Sequence, residues 1–191
     1  IKRSSGDLPG AHADLEAAAQ LARRIGHAGP LATALLALAG VRSLQGDWPG
    51  AQRALDEAKG FGDIGLNARV ILGEAQVARR RGEHTRALTL LESAVGGLRQ
   101  VGAWEEIADA LILAGEIHLE VGRWREAVAE YAQAVKVRAV AVEHGGPLED
   151  LARAKIDMAY ALLDGGEVDD AAQLFEEGRK EAEEAGHQAL V

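Results

Sequence analysis

The chain has 191 residues, a formal charge of -9 and an isoelectric point near 5.2, which argues against the basic face that nucleic acid requires to displace its counterions. It contains no cysteine, so disulfides and thiolate metal sites are excluded, and it has no apolar run of the ~18 residues that would span a membrane. Aromatic residues are only 4% of the chain, so the expected core is Ala, Leu, Val and Ile, of which Ala and Leu are strong helix formers.

The chain opens on IKRSSGDLPG, without the apolar h-region of a secretory signal. Together with the missing cysteines, this leads us to expect a cytoplasmic protein. The ten residues GDLPGAHADL (Gly6 to Leu15) return almost letter for letter as GDWPGAQRAL (Gly46 to Leu55). This is one instance of a wider repeat. A turn glycine followed five residues later by alanine occurs at Gly6/Ala11, Gly46/Ala51, Gly82/Ala87, Gly122/Ala127 and Gly166/Ala171, in steps of 40, 36, 40 and 44 residues. Four residues beyond each alanine stands a large side chain: Leu15, Leu55, Leu91, Tyr131 and Phe175. Three further on is a small one: Ala18, Ala58, Ala94, Ala134 and Gly178. A period of this length marks a stack of supersecondary units.

In chain order the apolar spacing predicts helices of two alternating kinds. One kind, called B here, follows each turn glycine, over roughly 8–25, 48–60, 84–101, 124–143 and 168–185. The other, A, precedes each internal turn glycine, over roughly 30–45, 66–81, 105–121 and 147–164. The first and last A helices open with Pro30 and Pro147, a residue tolerated in a first turn. Ala87, Leu91, Ala94 and Leu98 show the amphipathic spacing plainly. No segment alternates as a strand would. The chain starts just before a B helix and ends on GHQALV, which reads like the entry to another A helix. The expectation is a single all-helical array over 1–191 that forms a piece of a longer array or multidomain protein.

Seven residues before each internal turn glycine is again a small residue: Ala39, Ala75, Gly115 and Ala159. Two residues after it, Trp48 and Trp124 supply an aromatic, while Leu8, His84 and Val168 do not. With its small residue, turn glycine and A-x3-F pattern, this sequence resembles the tetratricopeptide repeat, across essentially the whole chain as about four and a half units. The units are longer than the family's usual ~34 residues, and Lys155 and Glu74 occupy slots where an apolar residue is usual. Units of this length look like those of large bacterial regulators.

The resemblance implies an all-α, right-handed superhelical solenoid of antiparallel helix pairs. It also implies a non-catalytic scaffold whose concave A-helix groove takes a protein or peptide ligand. Carried over residue by residue, the groove would be lined by Arg69, Leu72, Gln76, Arg79 and Arg80, then Asp109, Ile112, Glu116 and Glu120, then Arg153, Ile156, Tyr160 and Leu163. The alternative is the sensor or oligomerisation arm of a larger regulator, with self-association through the solenoid ends. The family's carboxylate clamp needs paired Lys and Asn, and the one asparagine, Asn67, sits at a helix start.

Other motifs weigh less. GFGDIG (Gly60 to Gly65) spells a dinucleotide fingerprint but follows a helix, where the motif needs a strand, so no cofactor is expected. Arg79, Arg80 and Arg81 close an A helix, favourably placed for its dipole or for an acidic peptide end. The run from Glu176 to His187 pairs Glu176 with Lys180 and Lys180 with Glu184 as a solvated helix would. His12 with Glu16 and His187 with Glu183 each offer two metal ligands but no third, so no metal is expected. His27, His144 and His187 share the same kind of loop. Ser4, Ser5, Ser43 and Ser93 lie in no nucleophile elbow, so no catalytic residues are expected.

Overall fold

A computed structural model describes residues 8–61 and 63–188. Gly6, Ser4, Ser5 and Gly62, and the last three residues of GHQALV, lie outside the described residues, as does the side chain of His187. Among the described residues there are nine α-helices and no strand: α1 (Leu8–Ile25), α2 (Ala28–Leu44), α3 (Trp48–Ala58), α4 (Ile64–Arg80), α5 (His84–Gln100), α6 (Trp104–Glu120), α7 (Trp124–Glu143), α8 (Leu148–Asp164) and α9 (Val168–Gln188). The odd-numbered helices are the B helices and α2, α4, α6 and α8 the A helices. A 3-10 turn, Lys59–Phe61, follows α3 where the sequence suggested more α-helix.

Each A helix ends the same way. At Gly46, Gly82, Gly122 and Gly166 the backbone has φ of 78°, 75°, 75° and 83°, a left-handed conformation that glycine adopts without steric cost. The N–H of the following residue then reaches back to a carbonyl five positions earlier: Asp47 to Arg42, Glu83 to Ala78, Arg123 to His118 and Glu167 to Leu162, all within 2.8–2.9 Å. This closure satisfies carbonyls the helix end would leave orphaned. Starts are less uniform. Asp47 accepts from the Gly50 N–H and Asp63 from the Leu66 N–H, at 2.9 and 2.6 Å. Pro147 lies just outside α8, as its N-cap.

The chain divides into two compact units, up to Val101 and from Gly102. In the first, α2 packs on α1, α3 and α4, and α4 on α5. Its core joins Leu35, Leu55, Val70 and Val77 to alanines of α1, α2 and α3, with Trp48 and Phe61 against it. Leu55 and Leu91 are fully buried, and each contributes about 1.5–3 kcal/mol by leaving water. In the second, α7 lies between α6 and α8, and α9 packs on α8. Tyr131 and Ala127 of α7 meet Ala161 of α8 with Ile112 alongside, and Phe175 of α9 joins Ala159 and Leu162.

The small residues before the turn glycines, Ala39, Ala75, Gly115 and Ala159, are all buried. So are Ala58, Ala94, Ala134 and Gly178 on the B helices. Ala18 departs from the expected pattern. It is exposed, because α1 buries the face carrying Ala11, Leu15, Ala19 and Ala22.

Candidate functional site

The A helices bury one side and expose the other. In the first unit α2 buries Leu35, Leu38 and Val41, and α4 buries Val70, Ala75 and Val77. On the other side of α4, Arg69, Gln76 and Arg80 are exposed while Leu72 and Arg79 are half-buried. Gln76 and Arg80 line a cleft of about 80 Å³ between α2 and α4, together with Gly40, Ser43, Leu44 and Gly73. Arg69 and Arg79 do not line it. Arg81 turns to Glu83, 2.8 Å away, and Glu83 also takes Arg86, so the last cation of the arginine run serves the turn.

Glu74 and Lys155, the two charges in apolar slots, each find partners on a neighbouring B helix or its end. Glu74 is buried and accepts from Lys59 at 2.6 Å and Gln52 at 3.1 Å. Lys155 donates to Glu181 at 2.7 Å and Glu177 at 3.1 Å, and these bonds hold it protonated against its burial.

In the second unit the expected residues separate into two kinds. Asp109 is tied to the protein itself: it accepts from Arg138 of α7 at 2.5 Å, and that guanidinium also reaches Asp150 of α8 at 3.3 Å. Ile112 is half-buried against the Tyr131 cluster. Glu120, Arg153, Tyr160 and Leu163 are exposed. Tyr160 packs edge-on against Phe175, with ring centroids 5.0 Å apart, and keeps 58% of its surface exposed. Arg153 and Ile156 share a cleft of about 390 Å³ with Asp150, Asp157 and Ala182. Burial raises the pKa of Asp157, the nearby Glu116 adds to that, and Arg153 opposes it.

A third cleft, of about 250 Å³, opens among α1, α2 and α3 and was not legible in the sequence. Arg23 forks onto Glu57 with two bonds of 2.7 Å, and Arg42 reaches Glu16 at 2.7 Å. The His12–Glu16 pair, at 3.2 Å, thus shares its carboxylate with an arginine, a cation where a metal would have to sit. Helices far apart in sequence bring these partners together, and no local spacing announces them. In the glycine-rich stretch, Gly65 lies buried inside α4 and Asp63 caps that helix. In the acidic run, Lys180 lies 3.6 Å from Glu176, while Arg179 pairs with both Glu176 and Glu183. His144 bonds the Val140 carbonyl at 2.8 Å, a role within its loop.

Stacked two-helix units with small residues at the crossings and glycine-closed A helices define an α-helical repeat protein. The tetratricopeptide-repeat model matches residues 67–139. No curated protein matches the sequence. Among solved structures, putative kinesin light chain repeats from Podosopora anserina superpose with a TM-score of 0.68 at 17% identity, covering 94% of this chain and 89% of that one. MamA gives a TM-score of 0.65 at 19% identity over 97% and 95% of the two chains. A Rap protein complexed with Competence and Sporulation Factor gives 0.69 at 23% identity, covering 81% of this chain but 43% of that one. The helix pairs at residues 67–139 match the tetratricopeptide repeat, and the fold of the described residues is the all-α helix-pair array expected from the sequence.

Proposed function

We propose that this chain is a non-catalytic interaction module that offers the A-helix side of its units to a protein or peptide. The tetratricopeptide fold supports a protein-interaction scaffold in general, and the finer assignment rests on one observation. The A helices turn their alanine-rich side into the core and leave charged and large apolar side chains outside, among them Arg69, Arg80, Glu120, Arg153, Tyr160 and Leu163. Exposed large apolar and charged groups on a rigid helix are suited to recognition. Leu72, Gln76, Arg79, Ile112, Glu116 and Ile156 complete the proposed contact set, and Asp109 supports it from its bond to Arg138. We place the module in the cytoplasm of a bacterium.

A second reading, the sensor arm of a larger regulator, draws on the Rap neighbour. That protein was solved with Competence and Sporulation Factor, and this chain spans less than half of its length. The two readings share a test. Affinity capture with the wild-type chain and with an Arg69→Glu, Arg79→Glu, Arg80→Glu variant should yield a partner that only the wild type retains, with equal circular dichroism. Identical captures from both baits would remove the A-helix side as the working surface. Light scattering over a concentration series separates the readings further, since self-association favours the regulator arm.

A further inference from the structure

The cleft between the A helices of the first unit carries the opposite charge to the chain as a whole. α2 contains no acidic residue, and the only one on α4, Glu74, is buried and held by Lys59 and Gln52. Arg80 of the same helix lines the cleft between α2 and α4, so the rim there carries a positive charge in a chain of charge -9.

Between the two helices lies the 80 Å³ cleft, and two glycines shape it. A Cβ at Gly40 would meet nothing within 4 Å, so the wall there is open space. A Cβ at Gly73 would stand 2.8 Å from Leu55, so packing from the core side keeps that wall bare. A cavity of about 150 Å³ takes benzene. This cleft is roughly half that size and suits a branched aliphatic side chain. Leu44, 45% exposed, stands at its edge. Ser43 lines the cleft too. It is 4% exposed, and its Oγ is buried without a hydrogen-bond partner.

We infer that the α2–α4 cleft seats an aliphatic side chain of an acidic peptide. Arg80 receives a peptide carboxylate, and the Gln76 amide both donates to and accepts from the peptide backbone. The charge of the cleft's rim selects acidic over basic peptides. This inference rests on the interaction-module reading and narrows it to one unit and one ligand chemistry.

The test uses the whole chain and fluorescein-labelled eight-residue peptides read by anisotropy. Each peptide carries one central Leu in a frame of Glu, Gln or Lys, and a fourth has Ala in the Glu frame. The Glu-frame Leu peptide should bind about tenfold tighter than the other three. Arg80→Glu should weaken it by about tenfold. Gly40→Leu, whose side chain enters open space, should leave the fold intact and abolish the preference for Leu over Ala. The inference fails if the Lys-frame peptide binds as well as the Glu-frame one, or if the Leu preference survives Gly40→Leu. Tightest binding of the Lys frame, lost on Glu116→Lys, would overturn it while keeping the module reading. Binding of no peptide by a folded chain also overturns it, and the capture experiment then decides the module reading by itself.

Discussion

Gly115 of α6 lies directly beneath the Tyr131 ring of α7, and a Cβ at that glycine would stand 2.8 Å from two of the ring's carbons. The two positions are the small residue before the turn glycine and the large residue after it, so one contact ties both halves of the repeat together. Gly115→Leu should overpack it and cost about 1–3 kcal/mol, and Ala39→Leu, buried in the first unit, should cost a similar amount. Each kcal/mol lowers the melting temperature by about 2–4 °C in a domain of this size. Unchanged melting in both variants would mean that the repeat register is wrong.

That register is legible because the constraints behind it are local. Glycine at φ near 78° and alanine at a helix crossing leave a periodic trace in the sequence, and the B helices expected over 8–25 and 124–143 have those bounds to the residue. The A helices α2 and α4 begin two residues earlier than the spacing suggests. His27 and Asp63 are extended at their N-caps, and the apolar period gives no sign of where that extended backbone ends. What stays hidden depends on partners distant in sequence. Asp109 reads as a groove residue, but Arg138, 29 positions away, claims it. The α2–α4 cleft is equally invisible, since its bare walls come from Gly40 and Gly73, which the repeat pattern does not require.

Glu74 and Lys59 form a pair with a buried acid and a half-exposed base, 2.6 Å apart with side-chain exposures of 8% and 46%. Lys59→Ala leaves the carboxylate in the core with only Gln52, and should cost about 1–3 kcal/mol, below a fully buried pair because water reaches the lysine. Glu74→Leu combined with Lys59→Met should recover most of that loss, since it replaces the pair with apolar groups. Urea unfolding of the wild type and these two variants gives the comparison. A double variant no more stable than Lys59→Ala would show that the pair contributes more than the desolvation it costs.

His118 of α6 is half-buried, and its Nδ1 has no hydrogen-bond partner. Burial lowers its pKa below the usual histidine value, with Arg123 adding to the effect and Glu126 opposing it. In the window below pH 6.5 the unfolded chain therefore binds the proton more readily than the folded one. Stability is full above that pH and falls as the solution is acidified through the lowered pKa. His118→Gln should flatten this dependence between pH 7 and 5. The measurement is the difference in melting temperature between wild type and variant at each pH, and a constant difference would contradict the assignment.

Trp104 and Trp124 each open a helix, but only one has a place in the repeat. Trp124 packs over the backbone of Gly165, where a Cβ would stand 2.5 Å from the indole, and Arg125 lies 4.4 Å above the same ring. Trp104 is 50% exposed, and its indole nitrogen is 3.9 Å from where a Cβ of Gly102 would lie, in its own loop. Trp124→Ala therefore removes a contact between α7 and the end of α8 and should cost about 2–3 kcal/mol, below the range for a fully buried Trp. Trp104→Ala should stay within about 0.5 kcal/mol, as exposed positions do. Chemical denaturation followed by circular dichroism compares them without relying on tryptophan fluorescence. Equal losses would mean that Trp104 supports the fold through a contact the repeat pattern does not contain. A small loss at Trp124 would mean that the aromatic two residues after the turn glycine is dispensable in these long units.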